Sequence, residues 1–207
     1  MSYVDLTADF CGRKAVAGIT RREVALKSDR TRYTGVVYDL NTTTMMGSYI
    51  DFPGHIMETD DGVHGGNVDL ADFCAIPAAV IHLDRAQNPG GISAADLEEA
   101  YGGVPDTRAV IINALGSTGS FEIPPRSVYL ELDAVEWLKK TPCKLLVSDV
   151  YESTALEGVF LKLFEGGIAT VCEPANLHKL SARNVKLTVL FPKMPITQLP
   201  CALAAEF

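Results

Sequence analysis

Short apolar runs separated by polar turns are the main pattern along this 207-residue chain. Several runs are apolar over most of their length, which is typical of central strands covered on both faces. The runs that predict strands are Gly35–Leu40, Ala78–Leu83, Ala109–Ala114, Lys144–Val150, Ile168–Cys172 and Lys186–Phe191.

Three further segments have the pattern of helices. A capping motif at Ser93 begins the first, and Gly102 ends it. The second covers Leu132–Lys140, and the third covers Thr154–Glu165, with Gly166 after it. The third helix is expected to bury one face formed by Leu156, Val159, Phe160 and Leu163. Strands and helices that alternate in this way predict an α/β fold.

Composition is that of a globular protein, and the length predicts a single domain over residues 1–207. A net charge of −8 argues against nucleic acid and anionic membranes as partners. No apolar run approaches the roughly 18–20 residues that cross a bilayer, and the first residues lack the pattern of a signal peptide. Five scattered cysteines predict reduced thiols and a cytoplasmic location, and they are Cys11, Cys74, Cys143, Cys172 and Cys201.

The segment MMGSYIDFPGH, at positions 45–55, carries the densest candidate chemistry. Its first part predicts the end of a strand, and Pro53 and Gly54 predict a turn. Asp51 and His55 lie on either side of this turn, where side chains often reach solvent or a cleft. The alternative is structural, with Asp51 capping the turn and His55 on the surface.

This segment resembles the signature His-x-Gly-Thr-His-x-Asp-x-Pro-x-His of the cyclase family, which includes bacterial kynurenine formamidases and isatin hydrolases. Gly47, Asp51, Pro53 and His55 match the signature, and Ser48 replaces its Thr. Weaker resemblances follow in the family's order at residues 3–7, 67–70, 167–177 and 191–195, the last as the closing strand. The resemblance implies a single-domain, swivelling β/β/α cyclase-like fold with a mixed central sheet.

The same resemblance implies a divalent metal bound by two signature His, the signature Asp, a later His and a Glu. Only Asp51 is retained, and the other positions hold Met45, Tyr49, Phe160 and Cys172, with Glu173 one residue further on. Thioether and phenol groups are poor replacements for imidazole. No cofactor is therefore expected, although Zn or Mn would be the ion if a site were rebuilt from Asp51, His55, Glu173 or Cys172.

The family's counterpart of His55 is a general acid/base, and an imidazole suits proton transfer near neutral pH. Asp51 is expected to orient His55 or to act as a carboxylate base, and Tyr49 to donate its phenol proton to a substrate oxygen. The three are also expected to face one cavity, since Tyr49 and Asp51 alternate onto the same face of a strand. A structural alternative for Tyr49 is packing.

Five residues are expected to contact substrate: Ser48, Phe52, His64, Cys172 and Glu173. Cys172 could be a nucleophile if His55 lowers its pKa, or a small buried hydrophobic residue. His64 lies between glycines and could close over a ligand or remain a loop residue.

Three hypotheses follow. The first is an enzyme that opens a small amide, lactone or cyclic imide, or catalyses ring closure or dehydration, without the usual metal. The second is a binding protein that has lost turnover. The third is a metal-dependent hydrolase with a rebuilt site. The resemblance also implies a homodimer or a higher homo-oligomer.

Overall fold

A mixed sheet of nine strands organises the computed structural model, which describes residues 2–9 and 18–207. Cys11 therefore lies outside the described residues. In order across the sheet, the strands are β1 (Tyr3–Asp5), β13 (Ala202–Glu206), β11 (Asn184–Leu190), β5 (Ile76–His82), β7 (Ala109–Asn113), β9 (Leu145–Ser148), β10 (Ala169–Cys172), β4 (Tyr49–Asp51) and β12 (Gln198–Pro200).

The centre of the sheet is parallel, because β5, β7, β9 and β10 pair in the same direction. The strands on either side pair antiparallel. The carboxyl ends of the parallel strands lie at one edge of the sheet, which is where α/β proteins place their ligands. The predicted α/β fold with a mixed central sheet is confirmed.

Three α-helices lie in the described part of the chain: α1 (Ala94–Tyr101), α2 (Leu132–Lys139) and α3 (Val159–Glu165). The capping motif that predicts α1 is present, with Ser93 and Asp96 each accepting a hydrogen bond from the backbone of the other. Gly102 ends α1 in the left-handed region at φ 75°. Only glycine adopts this conformation without strain, so the sequence locates both ends of this helix.

The third helix begins later than the sequence predicts, at Val159 instead of Thr154. Leu156 has φ 55° and Gly158 has φ 94°, and left-handed residues interrupt a right-handed helix. Leu156 is 63% exposed, so its predicted place in the core is wrong. The expected closing strand at 191–195 is also wrong, because this segment follows β11 as a loop and β12 and β13 close the sheet.

Side chains alternate along each strand, and they divide the core into two layers. In β7, Val110 and Ile112 pack in the layer that contains the helices, while Ala109 and Ile111 pack on the opposite face. In β4, Tyr49 packs on the helix side and Ile50 on the other side. The site described below lies on the helix side.

Among the described residues, two pairs of strands lie outside the main sheet. β6 (Gly90–Ile92) pairs with β8 (Val128–Leu130), and β2 (Ile19–Lys27) forms a long hairpin with β3 (Arg32–Leu40). The hairpin is exposed over most of its length. No helix in the described ranges is long and apolar enough to span a membrane.

Candidate functional site

A cavity of about 410 Å³, here called the main cavity, opens on the helix side of the sheet beside the carboxyl ends of β9 and β10. Six of its lining residues carry the chemistry discussed below, and they are Tyr49, Tyr151, Glu152, Phe160, Cys172 and Glu173. Tyr49 of β4 and Cys172 of β10 are direct cross-strand partners. Pairing of the two strands therefore brings together residues that are far apart in the sequence.

Two stacked aromatic rings form one wall of the main cavity. The rings of Tyr151 and Phe160 lie 4.8 Å apart with an angle of 24° between their planes. The Tyr151 hydroxyl is within hydrogen-bond distance of two strand carbonyls, at 2.8 Å from Val171 and 3.1 Å from Leu146. These bonds hold the ring in place, so the wall is rigid, apolar and suited to a planar group.

Glu152 provides a buried carboxylate in the same cavity. The residue is 8% exposed, and its Oε1 accepts a hydrogen bond from the Phe160 backbone N–H at 3.2 Å. Its Oε2 is buried and has no hydrogen-bond partner among the described residues. An unsatisfied carboxylate oxygen is costly in a protein interior, and residues of this kind are common at functional sites. Here it can accept a hydrogen bond from a water molecule or a ligand.

Tyr49 and Cys172 remain protonated at neutral pH. Burial raises the pKa of the Tyr49 phenol and that of the Cys172 thiol well above their usual values. Tyr49 therefore keeps the hydroxyl proton that it can donate, and the Cys172 sulfur is its neighbour in this structure. A raised pKa makes Cys172 a poor nucleophile and favours its alternative interpretation as a buried hydrophobic residue.

Asp51 contacts Cys172 but does not itself line the main cavity. Its side chain is 3% exposed, and its Oδ2 lies 3.8 Å from the Cys172 sulfur, which donates to it. Burial raises the pKa of Asp51 to about 6, although the nearby His55 opposes this effect. Asp51 can thus exchange a proton near neutral pH.

His55 is exposed at the end of a 3-10 turn, Pro53–His55, and is not part of the main cavity. Its Nε2 accepts a hydrogen bond from the Gln198 side chain at 3.3 Å, and Gln198 is the cross-strand partner of Asp51. The expectation that Tyr49, Asp51 and His55 face one cavity is therefore wrong, because only Tyr49 lines the main cavity. A catalytic role for His55 remains a prediction.

The remaining candidate residues are dispersed. Ser48 is buried, accepts from the Ala8 N–H and donates to the Glu173 carbonyl, so its hydroxyl joins two segments of backbone. Phe52 packs on the opposite face of the sheet, and His64 accepts from the Gly66 N–H within its own loop. Of the five expected substrate contacts, Cys172 and Glu173 line the main cavity.

A second cavity of about 290 Å³, here called the side cavity, adjoins the main cavity. Asp149 and Glu173 line both cavities. The Asp149 carboxylate accepts hydrogen bonds from the N–H groups of Ala114 at 2.9 Å and Leu115 at 3.1 Å. Burial nevertheless raises its pKa to about 6, because desolvation outweighs these bonds.

The metal site that the sequence resemblance implies does not fit these residues. The corresponding positions offer one carboxylate, one thioether, one thiol with a raised pKa and one phenol, while Phe160 offers no ligand atom. Within residues 2–9 and 18–207, no three His, Cys, Asp or Glu side chains are grouped closely enough to hold an ion. Within the same ranges, Asp51, His55, Glu173 and Cys172 do not form such a group either.

Sequence reasoning missed Glu152 and the aromatic wall. The available signal was position, because Asp149-Val150-Tyr151-Glu152 directly follows β9, a central parallel strand. Polar residues just after such strands meet at one edge of the sheet. That signal predicts a location for them but not which side chains face a cavity.

Comparison with known proteins agrees with the architecture. Residues 4–153 match the model of a family described as putative cyclase. The chain belongs to this family. No curated protein gives a significant match to the sequence.

Solved structures share the fold over almost the whole chain. Isatin hydrolase A from Labrenzia aggregata, bound to benzyl benzoate, is 17% identical with a TM-score of 0.75, covering 99% of this chain and 93% of that one. An isatin hydrolase bound to the product analogue thioisatinate is 17% identical with a TM-score of 0.73, covering 98% and 91%. A predicted metal-dependent hydrolase from Bacillus stearothermophilus is 13% identical with a TM-score of 0.67, covering 99% and 97%. At these identities the likeness shows the fold alone.

Proposed function

We propose that this protein is a cyclase-family enzyme of the hydrolase type that opens a small amide, lactone or cyclic imide in the main cavity. The observation that carries the proposal is the buried Glu152 carboxylate, whose Oε2 has no partner among the described residues and which lines the same cavity as the protonated Tyr49. A proton acceptor and a hydrogen-bond donor are the two groups that carbonyl hydrolysis needs.

The reaction is proposed to proceed by general-base catalysis. Glu152 takes a proton from water as the water oxygen bonds to the substrate carbonyl carbon. The carbonyl oxygen becomes an oxyanion, to which the Tyr49 hydroxyl donates a hydrogen bond. When the carbonyl re-forms, the bond to the amide nitrogen or lactone oxygen breaks, and Glu152 returns its proton to the leaving group. Ring closure is the reverse of these steps.

The dimensions of the cavity support a small substrate. A volume of about 410 Å³ lies toward the lower end of the range for ligand sites. The stacked rings of Tyr151 and Phe160 offer a flat apolar surface to an unsaturated or cyclic group. The isatin hydrolase structures, named for a cyclic substrate, also support this choice.

The proposal is tested by turnover of a panel of small formamides, lactones and cyclic imides. The wild type is expected to hydrolyse at least one of them, and Glu152→Gln to lower kcat by about 100-fold or more, which is typical for loss of a general base. Glu157→Gln is the matched control, because Glu157 is an exposed glutamate in the following turn. Equal rates for Glu152→Gln and Glu157→Gln would exclude Glu152 as the base.

No turnover by the wild type, together with saturable binding of the same compounds, would favour the hypothesis of a binding protein.

A further inference from the structure

A buried asparagine in the side cavity has an acceptor atom without a partner. Asn113 ends β7, is 2% exposed and lines the side cavity. Its Nδ2 lies 3.0 Å from His82 Nδ1, while its Oδ1 is buried without a hydrogen-bond partner among the described residues.

The orientation of this amide follows from the histidine. His82 Nε2 lies 2.7 Å from the Leu180 carbonyl oxygen, and a carbonyl only accepts, so Nε2 carries the hydrogen. In the neutral ring, Nδ1 is then an acceptor. Asn113 must turn its NH₂ group toward it, which directs Oδ1 away from His82 as an acceptor.

The side cavity is also lined by carboxylates, and by His178, Asn176 and a loop of residues 116–120 that carries hydroxyl and backbone N–H groups. Asp149, Glu173 and Glu122 line it, whereas no Lys or Arg does so within the described ranges. The carboxylates and Asn113 Oδ1 are best matched by an occupant that donates hydrogen bonds and carries positive charge. No three His, Cys, Asp or Glu side chains of residues 2–9 and 18–207 are grouped closely enough to hold a metal ion, and a volume of about 290 Å³ exceeds that of a single ion.

We propose that the side cavity is a binding site for an organic ammonium group, which donates hydrogen bonds to Asn113 Oδ1 and the Asp149 carboxylate. Because Asp149 and Glu173 line both cavities, a short carbon chain can connect this group to a ring in the main cavity. The ring would then pack against Tyr151 and Phe160. This site does not depend on turnover in the main cavity.

Phenethylammonium and 2-phenylethanol are suitable probes, because they share a ring and chain length and differ in the charged donor. Titration calorimetry on the full-length wild type should show phenethylammonium binding about tenfold more tightly than the alcohol, or better. Asn113→Leu should remove most of this preference and leave the affinity for the alcohol nearly unchanged. Asn88→Leu, the same substitution on an exposed turn, should have no effect.

Several results would overturn the proposal. They are equal affinities of the wild type for the two probes, no binding of phenethylammonium at about 10 mM, or the same preference in Asn113→Leu as in Asn88→Leu. If circular dichroism shows that Asn113→Leu does not fold, Asn113→Ser takes its place, because serine is too short to reach the position of Oδ1. Failure of the hydrolysis assay would leave these affinities unchanged, so the two proposals fail separately.

Discussion

Replacing Asp149 by asparagine should remove a pH-dependent cost to folding. Burial raises the pKa of Asp149 from 3.8 to about 6 in the folded protein. Between these two values the folded state binds more protons than the unfolded chain. The contribution of Asp149 to stability therefore falls as pH rises through this window.

The size of the effect follows from the two pKa values. For a single group shifted from 3.8 to about 6, the linkage relation gives a loss of about 2 kcal/mol between pH 4.5 and 7. Asp51 also has a raised pKa, but it is present in both proteins and cancels in their difference.

Urea unfolding of wild type and Asp149→Asn at several pH values measures this difference directly. The free energy of unfolding of the wild type minus that of Asp149→Asn should fall by about 2 kcal/mol from pH 4.5 to 7. Asp96→Asn is the control. Hydrogen bonds from Ser93 lower the pKa of Asp96, so its contribution is lost only below pH 3.8, and its difference should be flat over the same window.

A flat or rising difference for Asp149→Asn would refute the reasoning. It would mean that the two backbone hydrogen bonds to the carboxylate outweigh its desolvation.

Three further predictions concern the site and the assembly. The prediction that His55 carries protons in addition to Glu152 implies that His55→Ala lowers turnover, with a change in stability below about 1 kcal/mol because His55 is exposed. Unchanged turnover would leave both proton transfers to Glu152 and rule out that role. Protein purified without chelator or added metal is expected to contain much less than one Zn or Mn per chain, and elemental analysis finding a full equivalent would contradict this. The protein is expected to be at least a dimer by light scattering, with a mass above the 22.3 kDa of one chain. Tyr38→Lys is expected to weaken the dimer because Tyr38 and Leu40 are exposed on the hairpin. A monomeric wild type, or no change in Tyr38→Lys, would contradict the respective part.

Local patterns in the sequence were sufficient to predict most of the sheet and two of the helices. Buried strands such as β7 are apolar at nearly every position, and α1 has its capping residues within a few positions of its ends. These signals are local, so they can be recognised without knowledge of the fold. The start of α3 was missed because Leu156 adopts a left-handed conformation that its residue type does not favour.

The sequence by itself also determined the family, through Gly47, Asp51, Pro53 and the resemblances that follow, and it showed that the usual metal ligands are replaced. Only the tertiary structure decided which side chains share a cavity. Tyr49 meets Cys172 because β4 pairs with β10 in one register, and a shift of one residue would direct Tyr49 to the opposite face. Glu152 and Asn113 face the two cavities because their strands are parallel and end at the same edge of the sheet. Register and strand order depend on contacts between residues that are distant in the sequence, so no local sequence pattern predicts them.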